Sequence, residues 1–226
     1  MKPGYKLLHG LIFLSAFFTV HGQQNDFQAW PSLNANLEVF DNFTFHIEEE
    51  IRFHENLSLV DQQINDFGIS YRFNKYFKTG LYYRIEADWK NAEEYSWRKG
   101  FYGDISFRHK IDRFTLTYRI RLQSFRVERS EKEIEVRNGF RHRHKLSAEY
   151  NVKGIPLVPF VDVELFTDYT RRQQSMIKGV RTWIGMDYSI NKIHTLTLKY
   201  GIDKEINTVD PLNAYIIALG YAIDIR

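Results

Sequence analysis

Residues Phe77 to Trp89 read FKTGLYYRIEADW, and this stretch decides the fold. From Phe77 onward every second residue is apolar, aromatic or small, and most of the residues between them are polar or charged. Successive side chains of a strand point to opposite faces, so the alternation predicts a strand with one apolar and one charged face. A strand of this length, tilted by about 40°, rises roughly 30 Å, which is about the thickness of a bilayer core. Aromatic residues near both ends of the apolar face are typical of a transmembrane β-barrel.

Similar alternating runs recur along the chain, about eleven in all. A sheet that crosses lipid cannot leave an edge open, so the runs predict an all-β, antiparallel, up-and-down transmembrane barrel. Bacterial barrels of one chain have even strand numbers, so we expect about ten to twelve strands, with twelve preferred. The segment from Gln23 to Pro31 then adds a short strand or passes through the lumen, unless one weak run is not a strand.

The connections between these runs are expected to alternate in length. Short turns are predicted at 41–42, 74–75, 112–113 and 191–192, and longer polar loops at 55–63, 91–99 and 128–138. Short periplasmic turns and longer external loops are typical of bacterial outer-membrane barrels. Glu49 interrupts the apolar face of its run, and it requires a bulge or a polar partner.

The first residues have the pattern of a secretory signal peptide. Lys2 and Lys6 precede an apolar run from Leu7 to Val20, and Gly22 is a small residue just before the expected cleavage site. We therefore expect a signal peptide at 1–22 and an outer-membrane β-barrel at 23–226. The chain has no cysteine, which excludes a lipoprotein anchor and a disulfide framework.

The composition agrees with a barrel in the outer membrane. Aromatic residues make up 16% of the chain and the mean hydropathy is −0.43, a combination that a barrel permits because only every second residue must be apolar. The formal charge of +3 falls to +1 without Lys2 and Lys6, so we expect no nucleic-acid partner. We expect a monomer in the cell outer membrane of a Gram-negative bacterium, without a cofactor. Its partners would be outer-membrane lipid and, during insertion, the barrel-assembly machinery.

Two segments near the start of the barrel carry a family resemblance. The chain reads Asp26-Phe27-Gln28-Ala29-Trp30, and the next hairpin ends in Glu-x-x-x-Arg-Phe, from Glu48 to Phe53. In these segments the chain resembles the bacterial outer-membrane β-barrel family catalogued as domain of unknown function 2490. That family has no established activity. The resemblance therefore implies a location and a fold, and it assigns no catalytic residue.

The polar faces of the runs are densely ionic, and in a transmembrane barrel they face the lumen. The predicted lumen charges are Glu48, Glu50, Arg52, Arg72, Arg84, Glu86, Asp88, Asp104, Arg108, Arg119, Arg121, Arg141, Arg143, Asp162 and Glu164. Buried charges must be paired, so one interpretation is a network of Arg–carboxylate pairs that fills a narrow interior. The other is a charged conduit or a polar-ligand site. We favour the filled interior, because a barrel of ten to twelve strands leaves little free lumen.

The leading functional interpretation is a non-enzymatic envelope protein, either structural or a narrow channel with a charge-filled lumen. A lipid-acting hydrolase with a His/Ser site is the alternative. His46, His54 and His109, with Ser70 and Ser106, supply a base and a nucleophile, but no local motif links them. His46 and Ser70 are the first pair to test, since both fall on the lumen face of neighbouring strands. His109 falls on the apolar face, and the default expectation is that no His–Ser pair meets.

Two further interpretations follow from the same patterns. In the segment 137–145, Arg141, Arg143 and Lys145 are expected in the lumen, while His142 and His144 point outward. The two histidines could chelate a metal, but no third ligand is evident and no metal site is expected. A further alternative for the whole chain is a secreted, ligand-holding soluble barrel, whose apolar faces would point inward.

Overall fold

The computed structural model describes residues 24–89, 95–130, 134–169, 175–208 and 211–225. The expected signal peptide at 1–22 lies outside these residues. Within them the chain forms eleven strands: β1 (Gln24–Phe40), β2 (Phe43–His54), β3 (Leu59–Arg72), β4 (Phe77–Trp89), β5 (Tyr95–Ile111), β6 (Phe114–Ser130), β7 (Ile134–Tyr150), β8 (Leu157–Tyr169), β9 (Ser175–Ser189), β10 (His194–Glu205) and β11 (Leu212–Ile225). No helix in these described stretches is long and apolar enough to cross a membrane.

The strands close into one barrel in chain order, and β1 completes the ring by pairing with β11. This seam is parallel, from Gln24 opposite Leu212 to Leu37 opposite Ile225, whereas every other neighbouring pair is antiparallel. The eleven strands fall within the expected range of ten to twelve, but the even number, with twelve preferred, and antiparallel pairing throughout are wrong. In an up-and-down chain with an odd number of strands the first and last run in the same direction, so closure has to be parallel. Residues 24–31 neither form a separate strand nor enter the lumen, because they are the first half of β1.

The two ends of the barrel differ in their connections. We call the end that carries the links at 41–42, 73–76, 112–113, 151–156 and 190–193 the turn end, and the opposite end the loop end. The predicted long loops at 55–63, 91–99 and 128–138 are wrong, because strands occupy most of them. β3 begins at Leu59, β5 begins at Tyr95, and only 131–133 separate β6 from β7. Charged side chains did not stop these strands, since the backbone ladder continues between the two arms of each hairpin.

The wall places its apolar side chains outside and its charged side chains inside. Leu33, Phe45 and Leu81 are 49%, 49% and 56% exposed on the outer surface, whereas Asp66 and Glu164 are each 3% exposed inside. The inward orientation of the apolar faces, which the alternative of a soluble barrel required, is therefore wrong. The period of two along each strand separates apolar and charged side chains onto opposite faces, and closure of the barrel then places the charged face inside.

A row of aromatic rings follows the outer surface at the turn end. The Phe43 and Tyr71 rings lie 4.7 Å apart, Tyr71 and Phe73 4.7 Å, Phe73 and Phe77 5.1 Å, and Phe77 and Phe107 5.3 Å, measured between centroids. These distances fall in the range of favourable ring contacts. The turn end therefore carries a continuous aromatic belt over β2 to β5.

Glu49, the exception on the apolar face of β2, has a polar partner on the neighbouring strand. The Gln63 side-chain amide donates a hydrogen bond to Glu49 Oε1 at 2.8 Å. Asn65 lies directly opposite Glu49 on β3, so a second polar side chain neighbours the carboxylate. Pairing with polar side chains of β3, and not a bulge, therefore accounts for Glu49.

The charged lumen as candidate functional site

The middle of the lumen is held by Arg–carboxylate pairs that follow the strand register. Arg84 lies directly opposite Asp66 and donates to both carboxylate oxygens, at 2.8 and 2.5 Å. Arg121 lies opposite Asp104 and donates to both of its oxygens at 2.7 Å. The Tyr102 hydroxyl links the two pairs by donating to Asp66 at 2.9 Å while its ring lies 3.9 Å from the Arg121 guanidinium. Bidentate pairs of this kind are the strongest charged hydrogen bonds in proteins.

Glu164 on β8 gathers two arginines and extends this network around the wall. Arg143 donates to its two oxygens at 3.0 and 2.8 Å, and Arg119 donates to one of them at 2.7 Å. Arg119 also lies 4.0 Å from Asp104, which joins this group to the Arg121 pair. The connected charges therefore run from β3 to β8 across the middle of the lumen.

The opposite side of the lumen is filled by two tryptophans. The Trp30 and Trp183 rings meet edge to face, with centroids 5.7 Å apart, and Ile216 beside them is fully buried. The Arg52 and Arg181 guanidinium groups lie 3.7 and 4.7 Å from the Trp30 ring. These aromatic residues were missed by sequence reasoning, which sought only charges on the lumen face. The alternation could have predicted that Trp30 faces the lumen, since Trp30 is two residues from Gln28 and therefore lies on the same face of β1.

The remaining predicted lumen charges form local pairs between or along neighbouring strands. These pairs are Arg52–Glu50, Arg98–Glu86, Arg98–Asp88, Arg141–Asp168, Lys145–Asp162 and Arg181–Asp203. Arg98, Asp168, Arg181 and Asp203 were not among the predicted charges. Arg98 belonged to a segment predicted as a loop, and the other three lie on β8, β9 and β10, where the sequence analysis assigned only Asp162 and Glu164 to the lumen.

Three predicted charges are not brought into ion pairs. Among the described residues, no opposite charge lies within 4.0 Å of Glu48, Arg72 or Arg108. Glu48 faces the middle of the lumen, where Arg84 and Arg121 attract it over a longer distance. Arg72 and Arg108 line a cavity of about 600 Å³ at the turn end, which we call the vestibule.

One histidine and one serine meet inside the barrel near the turn end, so the expectation that no such pair would meet is wrong. His46 Nε2 lies 2.7 Å from the Ser70 hydroxyl, and His46 Nδ1 lies 2.7 Å from Asn36 Oδ1. The Asn36 amide donates to Asp224 Oδ1 at 2.7 Å. The contact arises because strands β11, β1, β2 and β3 are neighbours through the parallel seam.

The hydrogen bonds of this chain determine which nitrogen of His46 carries the proton. Asn36 donates its amide hydrogens to Asp224 and therefore turns its oxygen towards His46. That oxygen accepts the Nδ1 hydrogen, which leaves Nε2 free to accept the Ser70 hydroxyl hydrogen. The arrangement of hydroxyl, imidazole and amide is that of a nucleophile with an oriented base. Ser70 is only 3% exposed, and His46 is half-buried beside a small cavity of about 150 Å³.

The other candidate residues of a hydrolase stay apart. His109 lies on the outer surface against the Tyr76 ring, with centroids 6.1 Å apart, as its apolar parity predicted. Ser106 lines the vestibule, and His54 lies at the loop end of β2. None of these three has a His–Ser hydrogen bond in the described part of the chain.

The outward His144 lies against an aromatic neighbour. The His144 ring stacks against Tyr118, whose hydroxyl is 2.8 Å from its Nδ1. Within the described ranges, no group of three or more His, Asp or Glu side chains is placed to hold a metal ion.

The fold and its interior define a class of protein: a closed β-barrel with an apolar outer wall and a largely charge-paired lumen. Residues 27–207 match the family described as "Protein of unknown function (DUF2490)", so the chain belongs to that family and the resemblance is confirmed. The match covers β2 to β10 and ends before β11. A search among curated proteins found no match.

Proposed function

We propose that this protein is a small barrel of the bacterial outer membrane, exported by the signal peptide at 1–22, whose lumen is closed by its own side chains. The observation that carries the proposal is the combination of an apolar outer wall with a charged interior. Exposed side chains such as Ile47, Phe67 and Ile184 are 54%, 44% and 62% accessible. A soluble protein rarely exposes so much contiguous apolar surface, whereas a lipid-facing wall requires it.

The dimensions of the wall support the same proposal. β4 has 13 residues and β6 has 17, which exceeds the usual strand length of about five or six residues. The aromatic belt from Phe43 to Phe107 lies where interfacial girdles lie in transmembrane barrels. In the outer membrane, the turn end, which has the two-residue links at 41–42 and 112–113, would face the periplasm.

Cell fractionation and gel migration test the location. The protein should fractionate with outer membranes, begin at Gln23, and migrate faster before boiling than after it, because folded transmembrane barrels resist detergent. A soluble periplasmic protein of the same cells serves as the fractionation control. Recovery of the folded protein from the periplasm without detergent would contradict the proposal.

The closed lumen is supported by contacts that cross between strands that are not neighbours. Arg119 on β6 reaches Glu164 on β8, and Tyr102 on β5 reaches Asp66 on β3. Trp30 on β1 meets Trp183 on β9. These bridges leave ions little free path through the middle of the barrel.

Planar-bilayer recordings test the closure. The wild type should show little or no steady conductance, and the double variant R119A/R121A should open a leak, since it removes both arginines of the Asp104 group. R72A/R108A is the matched control, because it also removes two lumen arginines but leaves the middle network intact. Large ohmic wild-type channels would show that the lumen is open.

The contact of His46 with Ser70 favours a second candidate, an acyl hydrolase acting on lipid esters. In this reaction Ser70 Oγ attacks the ester carbonyl while His46 Nε2 takes the hydroxyl proton. The ester C–O bond then breaks, and His46 returns the proton to the departing alkoxide. A water molecule hydrolyses the acyl-serine in the same manner. This candidate is second because Ser70 is nearly inaccessible to an ester.

A fluorophosphonate probe separates the two candidates, since it labels only serines that have an activated hydroxyl. A hydrolase should become labelled at Ser70, and both S70A and H46A should lose the label while folding normally by gel migration. S106A is the matched control, because Ser106 lines the adjoining vestibule without a histidine partner. A folded wild type that stays unlabelled and releases no fatty acid from phospholipid would exclude the hydrolase.

A further inference from the structure

The vestibule at the turn end carries an excess of positive charge. Its lining includes the cations Arg72, Lys75, Lys78 and Arg108 and the single carboxylate Glu149. Four cations and one carboxylate leave a formal charge of three positive units around a cavity of about 600 Å³. A cavity of this volume lies within the usual range for small-molecule sites, about 300–1,000 Å³.

These cations face one another instead of facing acids. Arg72 on β3 lies directly opposite Lys78 on β4, and the charges of Arg72 and Arg108 both repel the Lys78 ammonium, while Asp104 attracts it from more than 4.0 Å away. Like charges directly opposite on neighbouring strands destabilise a sheet. Like charges also lie opposite each other in the middle of the lumen, as Arg121 and Arg143 do, but there each arginine also donates to a carboxylate.

The protein itself supplies little compensation for this charge. No ion pair within 4.0 Å reaches Arg72, Lys78 or Arg108 in the described part of the chain, and Glu149 attracts Arg108 only over a longer distance. The Ser106 and Thr117 hydroxyls add further donors to the lining. Asp104 attracts Lys78 over a longer distance, and Glu38 and Asp224 line a smaller cavity that Arg72 and Lys78 also line. An anion entering the vestibule would therefore meet several donors that no carboxylate of the described residues engages within 4.0 Å.

We propose that the vestibule binds a multiply charged oxyanion, of which phosphate is the simplest, carried either by a free small molecule or by a lipid headgroup. Arginine presents a planar set of donors that matches phosphate oxygens, and lysine adds a compact charge. Bound phosphate would remove the repulsion between Arg72 and Lys78, so the ligand and the cross-strand pair stabilise each other. Arg72 and Lys78 also line the small cavity beside His46, but binding of the anion does not depend on hydrolysis.

Calorimetric titration of the full-length folded protein in zwitterionic micelles tests the site, with inorganic phosphate and pyrophosphate as probes at low ionic strength. Pyrophosphate should bind more tightly than phosphate, and the double variant R72Q/K78Q should weaken both by at least about tenfold, since two charged hydrogen bonds are lost. K153Q is the matched control, because Lys153 is an exposed cation of the turn end that does not line the vestibule. Its affinity should equal that of the wild type.

A second variant keeps the test valid if R72Q/K78Q does not fold. R108Q changes a different strand of the same cavity, and it should weaken pyrophosphate binding while the gel migration of the folded form stays normal. Undetectable binding of both probes by the wild type, or an equal loss in K153Q, would overturn the proposal.

Nanodiscs of two compositions distinguish the source of the anion. If a lipid headgroup occupies the vestibule, phosphatidylglycerol in the disc should weaken the apparent affinity for pyrophosphate relative to pure phosphatidylcholine, and R72Q/K78Q should remove that difference. If the ligand is a free anion, the wild-type affinity should be the same in both discs and R72Q/K78Q should still weaken it.

Discussion

The middle of the lumen and the vestibule are built from the same residue types but differ in what faces each cation. In the middle, Arg84 and Arg121 each lie opposite an aspartate and donate to both of its oxygens. In the vestibule, Arg72 lies opposite Lys78, and no acid pairs with either among the described residues. The middle of the lumen neutralises its positive charge with its own carboxylates, whereas the vestibule presents its positive charge to a cavity.

The difference shows that the parity of a residue along a strand does not decide its role. Arg72 and Arg84 both point into the lumen, so the alternation alone makes them equivalent. What separates them is a carboxylate within reach: Arg84 donates to Asp66, whereas no acid lies within 4.0 Å of Arg72 among the described residues. Charged pairs therefore fill the middle of the lumen, whereas the vestibule at the turn end keeps cations that can bind a ligand.

The largest effect is expected where an internal pair is broken. D104A leaves the Arg121 guanidinium, which is 7% exposed, without its partner, so we expect a loss of about 3–5 kcal/mol in the free energy of unfolding. Denaturant titration in micelles, followed by tryptophan fluorescence, measures it. E149A is the control, because Glu149 makes no close ion pair within the described residues, and it should cost less than about 1 kcal/mol. Equal losses in both variants would abolish the distinction between the two regions.

A smaller effect is expected from overpacking the tryptophans in the middle of the lumen. Gly201 lies opposite Trp183, and a Cβ added there would be 2.3 Å from the indole ring. G201A should therefore lose about 1–3 kcal/mol of unfolding free energy.

G103A is the matched control for this variant, since a Cβ at Gly103 meets only a backbone oxygen at 3.7 Å. It should be neutral or more stable by about 0.5–1 kcal/mol, because alanine loses less backbone entropy than glycine in a strand. A G201A variant as stable as G103A would mean that the indole does not fill the lumen beside Gly201.

The smallest effect, with the opposite sign, is expected in the vestibule. K78Q removes the cation opposite Arg72, so it should raise the free energy of unfolding by about 0.2–1 kcal/mol at low ionic strength without added phosphate. The gain should shrink at about 1 M salt, where the Debye length is only about 3 Å. Denaturant titrations at two salt concentrations measure it, and a destabilised K78Q would indicate that Lys78 has an attractive partner.

Local structure and the orientation of side chains were predictable from the sequence. The stretch Phe77–Trp89 is β4 with the bounds that its alternation predicted, and Asp104, Arg121 and Glu164 are buried side chains of the polar parity. Both follow from a period of two, which is a property of neighbouring residues and needs no knowledge of the rest of the chain.

About eleven alternating runs were visible in the sequence, but the tertiary structure alone decided that an odd number of strands closes, through a parallel seam, and which partner each charge has. Asn36 and Asp224 are 188 positions apart, yet their contact orients the base beside Ser70. Trp30 and Trp183 likewise meet across the lumen from β1 and β9. The alternation predicts which face of a strand each of these residues occupies, but it does not predict the register between strands or how the barrel closes. Those depend on pairing between distant strands, and that pairing separates the compensated middle of the lumen from the uncompensated vestibule.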